Sequence, residues 1–371
     1  MKRIFQHALS PRLARVSLLL FVLPVLLVST GCDQLDDLFP KDPKVLKDYK
    51  QVNLVASTSE EYDAARVDPN LVNAWGIAFS PTGIAWVNAT GTGLSFIYDK
   101  DGNELRPAVA VPSADGSSPS PITGIIFNGS TDFKLPNGDP ARFIFDGVDG
   151  VITGWNSGNE AVVVVDNSAT AAYTGLASAT VGSTSFLYAA NFRSGKIDVF
   201  DANFAPVTDK PFTDANLPAG YAPFNIQNID NELYVLYAKV GANGRDEAGA
   251  GQGYVNVFNA DGHLLKRFTS KGQLNAPWGI AKAPAGFLSN GDKDYGASIL
   301  VGNFGDGRIN AYTSDGKFIG QLNDQDGPIT IEGLWAISFV PSTATNIDPN
   351  RLYFAAGPDN EEHGLYGYIT K

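Results

Sequence analysis

Ala74-Trp75-Gly76-Ile77-Ala78 returns as Pro277-Trp278-Gly279-Ile280-Ala281 and again as Leu334-Trp335-Ala336-Ile337-Ser338. Weaker copies stand at Ile122-Thr123-Gly124-Ile125-Ile126, Tyr173-Thr174-Gly175-Leu176-Ala177 and Pro223-Phe224-Asn225-Ile226-Gln227. These six copies lie roughly fifty residues apart, the spacing of a repeat architecture. A second block follows each copy: an apolar strand, a polar loop, a glycine, then a strand ending in an aromatic residue. It runs Gly93 to Tyr98, Gly150 to Trp155, Gly195 to Phe200, Gly253 to Phe258 and Gly307 to Tyr312, five residues apart each time. In the last copy Gly364 and Tyr368 are four apart, a slip of one. Lys100-Asp101-Gly102, Ala260-Asp261-Gly262 and Ser314-Asp315-Gly316 then turn the chain into a further strand, since Asp-Gly between alternating segments is a strong hairpin signal.

Nothing in the chain sustains an apolar period near 3.6 residues, so helices are not expected. Short runs bounded by Gly, Asn and Asp predict many short strands instead. Each repeat therefore reads as one four-stranded antiparallel blade, and the whole as an all-β, six-bladed β-propeller. The blades are expected near 71–112, 121–166, 171–209, 221–269, 274–322 and 331–371. The sixth repeat ends at Lys371 without a fourth strand, while a spare strand stands at Lys50-Gln51-Val52-Asn53-Leu54-Val55-Ala56. Pairing 50–57 into the last blade closes the ring and leaves no long edge open. Trp75, Trp278 and Trp335 share one repeat position, which suits wedges between neighbouring blades. The glycine beside Trp75 and Trp278 lets innermost strands approach one another.

Asn275-Ala276-Pro277-Trp278-Gly279-Ile280-Ala281, then Leu300-Val301-Gly302-Asn303-Phe304-Gly305-Asp306-Gly307-Arg308-Ile309-Asn310-Ala311-Tyr312 and Asp315-Gly316-Lys317, resemble an NHL repeat. Asn303 stands where that family usually has Asp. As a whole, residues 50–371 resemble a family of uncharacterised exported bacterial propeller proteins. The resemblance implies a fold and assigns no activity, because propellers host many unrelated ones.

The first thirty-one residues read as an export signal. Lys2, Arg3, Arg12 and Arg15 precede an apolar stretch, Val16 to Val28, too short to span a bilayer as a helix. Ser29-Thr30-Gly31-Cys32 follows and resembles a bacterial lipobox, although Ser29 replaces the usual Leu or Val. Cys32 is the only cysteine, so no disulfide can form within the chain, and lipidation accounts for it. Residues 32–49, with alternating charges and two prolines, read as a tether without a core. The expected address is the bacterial cell envelope, lipid-anchored on the periplasmic face of the inner membrane or on the outer membrane. Cleaving the signal removes four positive charges and takes the net charge from −12 to about −16. So acidic a domain is not built for nucleic acid, nor for a polybasic membrane contact. It reads as a monomer touching the membrane through its lipid alone.

Loops joining the second and third strands of each blade share one face with the loops entering the innermost strands, and function gathers on such loops. Asn88, Asp146, Asn191 and Asn303 occupy one repeat position at the end of the second strand. A ring of such oxygens could hold Ca²⁺, the only cofactor the pattern suggests. The competing role is capping of tight loops through backbone N–H groups. The long glycine-rich loop 239–253 offers Arg245, Asp246 and Glu247 as ligand-gripping groups, and Arg193, Arg308 and His363 stand on loops of the same face. Asn323 to Glu332 and Asp99 to Gly102 imitate calcium loops but fail the EF-hand template and read as turns. After the signal the chain has two histidines, His263 and His363, with no zinc-ligand spacing, nucleophile elbow, phosphate loop or dinucleotide fingerprint. The residues favour an envelope-tethered binding or scaffolding module for a protein, peptide or glycan. The alternative is a Ca²⁺-dependent hydrolase or lyase acting on a small molecule such as a lactone or sugar.

Overall fold

A computed structural model describes residues 46–59, 62–116, 119–290 and 293–371; the export segment, Cys32 and most of the tether lie outside them. Six antiparallel blades surround one axis. From the axis outward, blade 1 is Ala74–Phe79, Ala85–Ala89, Leu94–Tyr98 and Glu104–Ala110. Blade 2 is Ile122–Phe127, Phe143–Gly147, Val151–Trp155 and Val162–Asp166, and blade 3 is Tyr173–Val181, Thr184–Asn191, Lys196–Phe200 and Pro206–Val207. Blade 4 is Tyr221–Ile229, Glu232–Val240, Tyr254–Phe258 and Leu264–Ser270; blade 5 is Pro277–Lys282, Ile299–Asn303, Ile309–Tyr312 and Phe318–Gln321. Each innermost strand packs on those of its two neighbours, from blade 1 round to blade 6 and back.

Blade 6 contributes Leu334–Phe339, Leu352–Ala356 and Leu365–Thr370, and its fourth strand is Lys50–Ala56. Lys50 pairs with Thr370 and Ala56 with Leu365, so the two ends of the propeller are hydrogen-bonded together, as the strand deficit predicts. A short parallel strand, Ala64–Val67, covers the outer edge of Lys50–Ala56. Packing begins at residue 46, within the last four residues of the expected tether 32–49, whose other residues lie outside the described ones. Leu46 and Tyr49 are fully buried, and the Tyr49 hydroxyl donates to Phe287 O at 2.7 Å. Their apolar side chains extend the core of blade 5, where Leu46 also bridges to Leu322.

The three tryptophans do not wedge between neighbouring blades. In all six innermost strands the register to the second strand shifts across this repeat position, between Ala74 and Ile77, Ile122 and Ile125, Tyr173 and Leu176, Pro223 and Asn225, Pro277 and Gly279, and Leu334 and Ile337. A β-bulge re-aims a side chain, and here it turns these residues to the axis. Other residues fill the space between blades: Trp86 of blade 1, for instance, stacks on Phe143 of blade 2 with centroids 4.0 Å apart. The adjoining glycines do allow close approach. A Cβ on Gly279 would lie 2.7 Å from Trp335 O in the next blade, and one on Gly124 2.7 Å from Leu176 N.

Candidate functional site

The six axial positions are Trp75, Thr123, Thr174, Phe224, Trp278 and Trp335. Four carry aromatic rings, on blades 4, 5, 6 and 1, and these meet across the axis. Trp75 stacks on Trp335 with centroids 3.4 Å apart and planes 12° apart. Trp278 meets both edge-on, at 6.2 and 6.1 Å, and Phe224 meets Trp335 at 5.8 Å. Phe304 stacks on the other side of Trp335 at 3.9 Å. The Trp278 indole reaches over blade 4 to donate to Thr174 O at 2.8 Å, so the plug is tied to the opposite wall.

Blades 2 and 3 carry threonine at this position, and the plug is therefore one-sided. Over the threonine side lies a cavity of about 250 Å³. Trp75, Phe224 and Thr174 form its floor, Phe192, Thr90, Ala172 and Val148 its walls, and Arg193, Arg245, Asp246 and Glu361 its charged rim. Apolar pockets with a few convergent polar groups are the usual form of a small-ligand site. The opposite mouth of the axis has a depression of about 340 Å³, lined by residues such as Ile77, Phe127, Leu176 and Phe339, with no ionisable side chain.

A strap crosses this mouth. The long loop of blade 4 starts as a ladder in which Asp246 and Glu247 pair with Val240 and Lys239, and it brings Arg245 over the axis. There Arg245 forms an ion pair with Glu361 from the last blade. Glu361 accepts a second bond from Asn73 Nδ2 at 2.9 Å, and Asn73 Oδ1 accepts from the Trp335 indole at 2.9 Å. The rim is thus wired to the plug. Asn73 and the run Asp359, Asn360 and Glu361 all have left-handed backbone, with φ of 51°, 54°, 53° and 71°. Asp and Asn tolerate this region and glutamate does so poorly, so Glu361 is held at a conformational cost, a pattern that concentrates at functional sites.

Asp246 sits under the strap, and burial raises its carboxyl to about 6, opposed by Arg245 and reinforced by Glu361. Arg193 is exposed at the rim, and among the described residues its guanidinium has no ion-pair or hydrogen-bond partner.

Of the residues singled out from sequence, Arg193, Arg245 and Asp246 meet at this cavity. Glu247 points back to an ion pair with Lys239. Arg308 is exposed on the loop of blade 5, outside the cavity lining. His363 faces the N-terminal segment instead, with Nδ1 3.2 Å from the Ser57 hydroxyl and its ring edge-on to Tyr62. Of the four second-strand residues, Asn88 and Asp146 meet at Thr123–Gly124, while Asn191 and Asn303 stand in networks of their own. Asn88 Nδ2 donates to Thr123 O and Gly124 O at 3.0 and 3.2 Å, bracing blade 1 on blade 2. Asn191 Oδ1 accepts from Ala172 N and Ser194 N, and Asn303 Oδ1 accepts from Asn275 N.

Asp146 Oδ1 accepts from Gly124 N at 2.6 Å and the Thr123 hydroxyl at 2.9 Å, while Oδ2 is buried without a partner. Burial raises this carboxyl to about 7, against the pull of those two donors. Among the described residues no group of three or more His, Cys, Asp or Glu is placed to hold a metal ion. Asn323 to Glu332 forms a turn in which Asp324 Oδ1 accepts from Asp326 N and Gly327 N. Thr174, Phe192 and the Asn73–Glu361 link were not picked out from sequence. The available signal was the pair of threonines among six otherwise aromatic axial positions.

No protein-family model matches the chain. It is 36% identical over 326 residues to the uncharacterised protein R648 of Acanthamoeba polyphaga mimivirus, covering 83% of this chain and 77% of that one. Protein L690 of the same virus, also uncharacterised, is 35% identical over 328 residues, covering 83% and 82%. Among solved structures, a protein of unknown function from Bacteroides thetaiotaomicron superposes with a TM-score of 0.54 at 10% identity, over 87% of this chain and 76% of that one. Virginiamycin B lyase from Staphylococcus aureus superposes with a TM-score of 0.50 at 12% identity, over 87% and 99%. At such identities the two superpositions speak for the propeller fold alone.

Proposed function

We infer that this chain, which belongs to the family of the mimivirus proteins R648 and L690, is a ligand-binding propeller whose site is the charged mouth of the axis. The observation that carries this is the one-sided plug. Thr174, in place of an aromatic ring, lines an aromatic-floored cavity of about 250 Å³, and four charged side chains from blades 3, 4 and 6 converge on its rim. Its size suits a single ring or one side chain of a larger protein, peptide or glycan partner. The test is a set of single-ring compounds screened by ligand-observed NMR against the protein and against Thr174→Phe, which fills the cavity. Compounds that bind the parent and lose binding to T174F support the reading. Compounds that bind both equally place the site elsewhere and overturn it.

A second reading, a hydrolase or lyase, rests on Asp246. A carboxyl raised to about 6 beside a ligand cavity is suited to general acid–base work near neutral pH. In the calcium form of this reading, Asn88 Oδ1 and Asp146 Oδ2, both buried without a hydrogen-bond partner, would be the oxygens free to turn to an ion, whereas Asn191 Oδ1 and Asn303 Oδ1 accept from backbone N–H groups. Calcium titration with and without chelator tests it, since a bound ion must raise the melting temperature.

The export reading of residues 1–31 and the lipidation of Cys32 complete the proposal by placing the domain at a cell envelope. Incorporation of labelled fatty acid, lost in Cys32→Ser, is the result expected. We also propose that the repeat is of NHL type, on the strength of Arg308-Ile309 and the Asp315-Gly316 hairpin.

A further inference from the structure

The cavity is closed by the chain itself. Trp75, Phe224 and Phe192 on its floor and wall are only 4%, 2% and 6% exposed. The Arg245–Glu361 ion pair spans the mouth above them and also borders a second depression, lined by Phe304, Glu332 and Asn360. Opening that pair joins the two. The partners differ in freedom: Glu361 is anchored by Asn73 and 21% exposed, whereas Arg245 is 58% exposed on a loop. Arg245 is therefore the side that moves.

The rim as built holds two guanidiniums, Arg193 and Arg245, against two carboxyls, Asp246 and Glu361. Glu361 occupies Arg245, while Arg193 faces the cavity unpaired. An incoming cation would meet Arg193 as a like charge. An anion would gain Arg193 at once, and Arg245 on exchange for Glu361. A flat apolar body would rest against Phe192 and Phe224.

We propose that the site takes a small aromatic carboxylate, and that Glu361 is a built-in competitor that holds Arg245 closed over the empty cavity until the ligand's carboxylate displaces it. The proposal rests on the binding reading above and adds the ligand's charge and the closing device. No bond is made or broken; one ion pair is exchanged for another.

Phenylacetate and its neutral counterpart phenylacetamide are the probes, titrated by calorimetry into the full chain, Glu361→Gln and Arg193→Met. E361Q keeps an oxygen for Asn73, so the loop stays anchored while Arg245 is released. The acid should bind about tenfold more tightly than the amide, the ratio expected of one partly exposed guanidinium–carboxylate pair. E361Q should tighten the acid about five- to tenfold more than the amide, since both gain from the opened mouth but only the acid gains Arg245. R193M should abolish the preference for the acid. If acid and amide bind alike, or E361Q leaves their ratio unaltered, this inference is wrong and the binding reading stands. If neither compound binds any of the three proteins, both fall together.

Discussion

The axis of this propeller has two unlike halves built from one repeat position. On blades 4, 5, 6 and 1 that position is Phe224, Trp278, Trp335 and Trp75, and the rings pack on one another. On blades 2 and 3 it is Thr123 and Thr174, whose hydroxyls bond to neighbouring strands. The aromatic half closes the channel. The threonine half leaves the space that becomes the cavity, and it also carries the buried carboxyl of Asp146. A repeat protein thus opens a cavity by declining to fill two of six equivalent positions, and the long loop of blade 4 adds two of the four charges at its rim.

The largest effect should come from breaking the aromatic half. Trp335 is fully buried between Trp75 and Phe304 and donates to Asn73. Trp335→Ala should lower stability by about 3–5 kcal/mol in urea unfolding, the range for removing a large buried aromatic ring. It should also loosen Glu361 through Asn73.

Next in size is the carboxyl of the other half. Asp146 is raised from 3.8 to about 7 in the folded protein. Its folded form holds the proton more tightly than the unfolded chain, so stability is complete below about pH 4 and declines as pH rises to about 7. The loss across that window is up to about 4 kcal/mol. Asp146→Asn should flatten this part of the profile, because Asn88, Asn191 and Asn303 fill the same repeat position without charge. Chemical unfolding of both proteins from pH 4 to 8 checks it. A wild-type profile that coincides with that of D146N contradicts the assignment.

Thr123→Val should cost about 1–2 kcal/mol, the price of leaving buried acceptors without their donor. Its hydroxyl lies 2.9 Å from both Asp146 Oδ1 and Tyr173 O and donates its one proton to either. The fall in stability between pH 4 and 7 should steepen with it, since a donor that favours the ionised carboxyl is gone. Smallest is Arg193→Met, exposed and unpaired at the rim. It should change stability by less than about 0.5 kcal/mol while altering ligand charge preference.

Sequence carried the fold nearly whole. Six copies of a Trp-Gly-Ile-like block, the glycine-to-aromatic spacing and the missing sixth outer strand lead directly to a closed six-bladed ring. These are local signals repeated often enough to define each other. The direction of the tryptophans was not legible, because a β-bulge reverses which way a residue faces and leaves no mark beyond the adjoining glycine. Nor were Leu46 and Tyr49, whose docking on blade 5 depends on a surface that forms only after folding. At the site, Arg193, Arg245 and Asp246 were named from loop position and charge. Glu361 and Asn73 could not be joined from sequence, being 288 residues apart and linked through backbone in an unusual conformation.

The central claim is that the unfilled half of the axis is a ligand site. A crystal structure of the protein soaked in phenylacetate tests it most directly. The expected result is the ring against Phe192 and Phe224 above Thr174, with the carboxylate between Arg193 and an Arg245 that has left Glu361. Phenylacetate bound at another surface, or a cavity holding only water beneath an intact Arg245–Glu361 pair, would contradict it.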